Sequence, residues 1–420
     1  MKKYRLLAAL ALVLLIQGSA CAAPLTLEEC LAAAISNNPS LVAALESYNA
    51  ERTTPAQAAA SGRPQLSADG SYTRSGSGLS NANNSGSYST TVGVTQNISD
   101  WGRREAQIRN AIYNTQAVSE DFRTAIQTVI SDVRSSYYGL NKSTRDIEIA
   151  QNRYANFEKR LKWAKSYYEV GTKPKIEVTK AESDLAASKL SIVKAQAEAQ
   201  QYKAALANAM GEPMKAIPEA VDEIGFQDWS IKIDEAVERA SVERPELVAK
   251  RRRVDAAGEN LTLQMKGLSP SLSASGGYNA YGSSPLESNG WTTKLAISVP
   301  LTDGGLTKAK TEQAKAQLKM AEAELKSLSN SVTLEVRQAW EALREAKEAL
   351  VSSLEAERSA KATLDLAQGR YSAGVGSNLE ISDAIDAYAL AQSNTVQALY
   401  TCKTAQLGLE KAMGGLTYGK

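Results

Sequence analysis

The sequence predicts a mainly α-helical chain that also carries membrane β-strands. It should form long antiparallel coiled-coil helices plus two β-hairpins per chain, closing as a trimer into a 12-stranded barrel on an α-helical tunnel. Three observations predict this. First, the chain is written twice. Tyr168-Glu169-Val170-Gly171, Ile176-Glu177 and Met210-Gly211 return as Tyr371-Ser372-Ala373-Gly374, Leu379-Glu380 and Met413-Gly414, each pair 203 positions apart. Asp100-Trp101-Gly102 answers Asp303-Gly304-Gly305 at the same offset, and Asn38-Pro39 answers Arg244-Pro245 at 206. Solenoid repeats have periods of roughly 20–50 residues, so this longer period means one duplicated domain. Second, two stretches nearly free of charge alternate at period two. Third, each is followed by a long proline-free stretch with coiled-coil spacing.

The elements follow in order. Lys2, Lys3 and Arg5, the apolar run Leu6 to Ile16 and the small residues Ala20-Cys21-Ala22 mark residues 1–22 as a signal peptide. Acylation at Cys21 is the alternative reading of the same segment. Removing those three cations takes the formal charge from +2 to −1, which is not a nucleic-acid-binding balance. The first repeat is placed at 23–213, a linker at 214–230 and the second repeat at 231–420. Residues 26–36 read as a short helix with Thr26 and Glu29 as a capping box. Pro39 suits the first turn of a second helix running to about Ala60.

A hairpin is predicted at about 64–99, because Leu66, Ala68, Gly70 and Tyr72 alternate with Ser67, Asp69, Ser71 and Thr73. Its arms flank a Gly/Ser/Asn loop at 75–87. The second repeat has a hairpin at about 270–301. Arms of about 10 residues have the length that crosses a bilayer when tilted, and soluble hairpins or disordered Ser/Gly loops are the competing reading. Tyr72, Tyr88, Tyr278, Tyr281 and Trp291 are candidates for an interfacial aromatic girdle.

Long helices are predicted from Arg103 to Glu169 and from Thr307 to Tyr371. In the second, Leu325, Leu328, Val332, Val336, Ala339, Leu343, Ala346 and Leu350 step by threes and fours, a coiled-coil stripe with one stutter. Glycine turns at Gly171 and Gly374 lead into return helices ending at Met-Gly. The helix before each hairpin plus the return helix nearly equals the long helix, so one long helix can pack against two shorter ones stacked end to end. Four strands cannot close a barrel. Three copies supply both a closed barrel and a closed ring of helices.

Some chemistry is excluded at once. With no histidine anywhere, Ser/His/Asp and Cys/His catalysis and most zinc sites are excluded. There is no phosphate-binding loop, and the reading is of a non-enzyme without cofactor or metal. Cys30 and Cys402 are compatible with a disulfide or with two buried thiols.

The signal peptide, Leu25-Thr26-Leu27-Glu28-Glu29 followed by Asn38-Pro39, the paired hairpins, the two Asp-x-Gly turns and Tyr-x-x-Gly…Glu occurring twice together resemble the TolC-like outer membrane efflux proteins. That resemblance implies a homotrimer in outer membrane lipid, extending into the periplasm. It would dock on a periplasmic adaptor and an inner membrane transporter of the RND or ABC type, for efflux or type I secretion. It also implies a gate at the periplasmic tip, where the family's aromatic and acidic positions fall on Tyr371, Glu380 and Asp383, and in the first repeat on Glu177. The family's basic tip residue, two after the second-repeat turn glycine, falls on Gly376, so a closing cation is expected instead from Lys180, which answers Asp383, reaching in from the neighbouring helix column. The rival function is a soluble periplasmic coiled-coil adaptor or structural protein.

Overall fold

A computed structural model describes residues 25–75, 85–213, 215, 217, 221, 231–285 and 287–416. The expected signal peptide, Cys21, residues 76–84 of the first hairpin's expected loop and most of the linker lie outside them, while Ser75 and residues 85–87 of that loop are strand. Among these residues the helices are α1 (Leu27–Asn37), α2 (Pro39–Glu51), α3 (Thr54–Ala60), α4 (Arg103–Glu169), α5 (Lys175–Ala209), α6 (Ile233–Glu243), α7 (Pro245–Met265), α8 (Leu306–Ser372) and α9 (Asn378–Ala412). The strands are β1 (Gln65–Ser75) and β2 (Ser85–Ser99), then β3 (Ser271–Gly282) and β4 (Ser288–Ser298). They form two compact units. One holds residues 25–42, 125–244 and 332–416, the other 43–124 and 245–331.

In the first unit, the capping box forms as the sequence implies. Thr26 N–H donates to Glu29 at 2.9 Å, and Glu29 N–H to the Thr26 hydroxyl at 3.3 Å. The Thr26 N–H, followed by the Thr26 side chain, holds the Glu29 carboxyl below its ordinary pKa. The long helices α4 and α8 have 67 residues each and the return helices α5 and α9 have 35 each. At about 1.5 Å per residue a helix of the former length runs about 100 Å. The predicted stripe on α8 is buried or half-buried throughout, while Leu334, Val351 and Leu354 off the stripe are exposed.

The duplication is visible where each return helix ends. Asn38, the extended residue between α1 and α2, donates its amide to the Ala209 carbonyl at 2.8 Å. Its counterpart Arg244 reaches the Ala412 carbonyl at 3.4 Å. Gly211 and Gly414, at φ 78° and 77°, pass so close that a Cβ on either would lie under 3 Å from the backbone at Asn37 or Arg244. Cys30 and Cys402 are both buried, and neither is in a disulfide. Cys30 belongs to an apolar core with Leu31, Val133, Tyr137, Leu206 and Met210.

In the second unit, the helix expected to run unbroken to Ala60 is interrupted at Arg52-Thr53. Pro55 has no N–H to give the Glu51 carbonyl, and that carbonyl accepts from the Thr115 hydroxyl at 3.2 Å instead. The four strands make one antiparallel sheet in sequence order, with β2 pairing β3 and so joining the two hairpins. The register sorts the side chains. Leu66 pairs Val94, Ala68 pairs Val92, Val92 pairs Tyr278, Tyr278 pairs Trp291 and Ala274 pairs Leu295, all on one face. The other face carries Ser, Thr, Asn and Lys294, with Thr91 donating to Asn279 at 2.9 Å. Of the five girdle candidates, Tyr281 falls on the polar face, opposite Ser89 and Ser288. The outer strands β1 and β4 each pair with one neighbour in the chain. No helix among the described residues is long and apolar enough to cross a membrane.

Candidate functional site: the paired glycine turns

The α4–α5 and α8–α9 turns share one backbone design. Gly171 at φ 76° and Gly374 at φ 78° end their helices in the left-handed conformation that only glycine takes without strain. Gly171 N–H returns to the Tyr168 carbonyl at 3.0 Å and Thr172 N–H to Tyr167 at 2.9 Å. Gly374 and Val375 repeat this on Tyr371 and Arg370 at 3.0 and 3.1 Å, so both turns are Schellman closures. Gly376 then comes so close to the helix end that a Cβ would lie 2.8 Å from the Tyr371 nitrogen. A basic side chain at 376 is therefore sterically incompatible with this turn.

The side chains differ. Tyr371 is 1% exposed, packed against Tyr167 and Trp163 with ring centroids 5.9 and 6.1 Å away. Its hydroxyl donates to Glu177 at 3.4 Å, and Tyr167 donates to the Tyr371 and Ser372 carbonyls at 3.1 and 2.9 Å. Burial, followed by the Glu177 charge, pushes the Tyr371 pKa up to about 12, so it is a neutral donor at physiological pH. Glu177 also lies 3.9 Å from Lys173. Of the predicted site residues, then, Tyr371 and Glu177 meet.

Glu380 and Asp383 are exposed on α9. Glu380 pairs with Arg370 at 2.9 Å across the turn. Lys180 and Asp383 are both exposed and make no ion pair with each other in this chain among the described residues.

A second group went unread in the sequence. Arg160 on α4 is fully buried. Its Nη1 donates to Asp184 of α5 at 2.6 Å and to Ser382 of α9 at 3.2 Å, and its Nε to Asn378 of α9 at 2.6 Å. Two turns away on α4, Arg153 pairs with Asp386 at 2.8 Å and donates to Ser191 at 3.0 Å. A signal for Arg160 was present. Phe157, Arg160, Ala164 and Tyr167 step by 3, 4 and 3, which places a charge on an apolar stripe. No such signal existed for Arg370, whose pairing with Glu380 depends on the turn between them.

The comparisons agree with this architecture. The model of the family described as outer membrane efflux protein matches residues 30–212 and again 236–415. The outer membrane protein TolC of Vibrio cholerae is 24% identical over 356 residues, covering 78% of this chain and 81% of its own. The cation efflux system protein CusC of Escherichia coli is 22% identical over 359 residues, covering 84% and 78%. In fold, a CusC crystal structure superposes with a TM-score of 0.83 at 20% identity, covering 93% of this chain and 92% of its own. The VceC structure from Vibrio cholerae gives 0.80 at 19%, covering 93% and 96%. With its duplicated helices, paired hairpins and two family matches, this chain belongs to the outer membrane efflux protein family.

Proposed function

We propose that three copies of this chain form the exit duct of a tripartite export system. The duct would conduct substrate passively from a periplasmic adaptor and an inner membrane transporter of the RND or ABC type to the exterior. The observation that carries this is the sheet. Its four strands have one apolar face, one polar face and an unfilled edge on β1 and on β4. An open edge in lipid leaves backbone groups unsatisfied, so the sheet must close with copies of itself. Three copies give 12 strands, apolar toward lipid and polar toward the lumen. The soluble-adaptor alternative has no use for such a sheet. Residues 1–22 would be removed on export, leaving the repeats 23–213 and 231–420 joined by 214–230. Nothing in this role requires an enzyme activity, a cofactor or a metal.

The tip would be the gate. Threefold symmetry turns Glu380 and Asp383 into rings of carboxylates that favour cations. Tyr371 and Glu177 would tie the inner end of α8 to α5, and Lys180 would face the acids of a neighbouring column. The assembly is tested by membrane fractionation and by heat-modifiable trimer migration on a gel; recovery as a soluble monomer would refute it. In planar bilayers, Glu380→Gln with Asp383→Asn should weaken cation selectivity, and Lys180→Ala should change single-channel conductance. An unchanged reversal potential in asymmetric salt would remove the acids from the lumen, and an unchanged conductance would remove Lys180 from the gate.

A further inference from the structure

We propose that Arg160 is the positioning residue for the acidic end of α9, setting the channel's ion selectivity through the placement of Glu380 and Asp383. The inference rests on the pore reading of those two acids. Arg160 grips α9 through Asn378 and Ser382, at 2.6 and 3.2 Å. With about 100° between successive residues of a helix, Asn378 and Ser382 lie about 40° apart, while Glu380 and Asp383 lie roughly 140–200° from Asn378. The guanidinium therefore holds the face directly behind the two exposed carboxylates.

The grip is triangulated. Asp184 of α5 accepts from Arg160 Nη1 at 2.6 Å and from the Ser382 hydroxyl at 3.3 Å, so α4, α5 and α9 meet at one charge. Beneath the guanidinium lies the Phe157 ring, its centroid 5.6 Å away. A planar fork with fixed donor directions defines orientation in a way that an apolar contact does not.

Stability alone does not explain a charge here. Burying a guanidinium is costly, and apolar replacement of a buried ion pair is often neutral or stabilising. Arg160 Nη2 is moreover buried without a partner, so the arrangement is not optimised as an energy source. Position is what remains. The duplication supports this. At the offset of 203, Arg160 and Asp184 answer Thr363 and Ala387, and Asn378 and Ser382 answer Lys175 and Thr179. None of the four contacts can be rebuilt in the other repeat, whose return helix carries Lys180 where α9 carries Asp383.

The test is the cation-to-anion permeability ratio of trimers in planar bilayers under asymmetric potassium chloride. Two variants disturb the grip while keeping the acids. Arg160→Met with Asp184→Leu removes the charge pair as a unit. Asn378→Leu with Ser382→Ala leaves the pair and removes only its hold on α9. Both are expected to assemble as heat-modifiable trimers and to lose at least half of the wild-type cation preference, as Glu380→Gln with Asp383→Asn does. If the acid variant loses that preference and assembled trimers of both grip variants retain it, Arg160 has only a structural role and the proposal is overturned. If the acid variant itself retains it, the pore reading falls and the proposal falls with it.

Discussion

The two glycine turns share a backbone and little else. Gly171 and Gly374 have the same φ within 2° and close the same Schellman bonds. Yet Tyr168 is 46% exposed and its counterpart Tyr371 only 1%. Residues 159–180 carry seven Lys and Arg against Glu169 and Glu177, a net +5, whereas the matching 362–383 carry Arg370 against Asp365, Glu380 and Asp383, a net −2. Duplication preserved what the backbone needs in order to turn, and the side chains then diverged into a basic end and an acidic one. In the single chain the divergence is already structural, because the aromatic of the acidic turn is buried between Trp163 and Tyr167 of the basic one.

The largest expected effect comes from truncating the buried tyrosine and its exposed counterpart in parallel. Tyr371→Ala should cost about 3–5 kcal/mol, the usual range for a buried aromatic. Tyr168→Ala should stay within roughly 0.5 kcal/mol, as exposed positions do. Chemical denaturation of the purified protein compares them, and equal losses would erase the distinction between the turns. Next, Gly376→Arg, which places at the acidic turn the kind of basic residue that Lys173 supplies at the other, should cost about 1–3 kcal/mol through overpacking against the Tyr371 backbone. The reverse change, Lys173→Gly, should be milder, since its 3.9 Å pairing with Glu177 is a weak one.

Smaller still, Tyr371→Phe removes one hydrogen bond to Glu177, worth about 0.5–1.5 kcal/mol. With the tip as the proposed gate, it should also raise the frequency of channel opening in bilayers. The same variant serves as the control for a pH effect. The Tyr371 pKa is raised to about 12 from an ordinary 10. Its neutral form is thus favoured in the folded tip, and that stabilisation is fully present below pH 10 and is lost as pH rises toward 12. Tyrosinate absorbance should show a late-titrating group that Tyr371→Phe deletes; an unchanged titration would mean that Tyr371 is not held neutral.

Much of this architecture was legible because it is periodic. The capping box at Thr26, the hairpins and the α8 stripe are written in spacings of three, two and three-to-four, and local geometry alone converts those into elements. The interruption at Arg52-Thr53 was missed, because Pro55 alone permits a kink or a break and the choice fell to the Thr115 hydroxyl that takes the Glu51 carbonyl. At the candidate site, Tyr371, Glu177, Glu380 and Asp383 were found through the repeat and the family resemblance. Arg160 and Arg370 were not, although Arg160 sits where the apolar stripe should continue.

By itself, then, the sequence determined the duplication, the type of the elements and the length of the long helices, the glycine closures and the charge contrast between the two turns. All of these follow from residue identities and short-range spacing. Only the tertiary structure decided which tyrosine is buried, that Arg370 meets Glu380, and that Arg160 joins Asp184 to Asn378 and Ser382. The reason is physical. Those contacts link residues up to 222 positions apart, and whether a charge there is buried and satisfied depends on which helix faces come together, which no local spacing specifies.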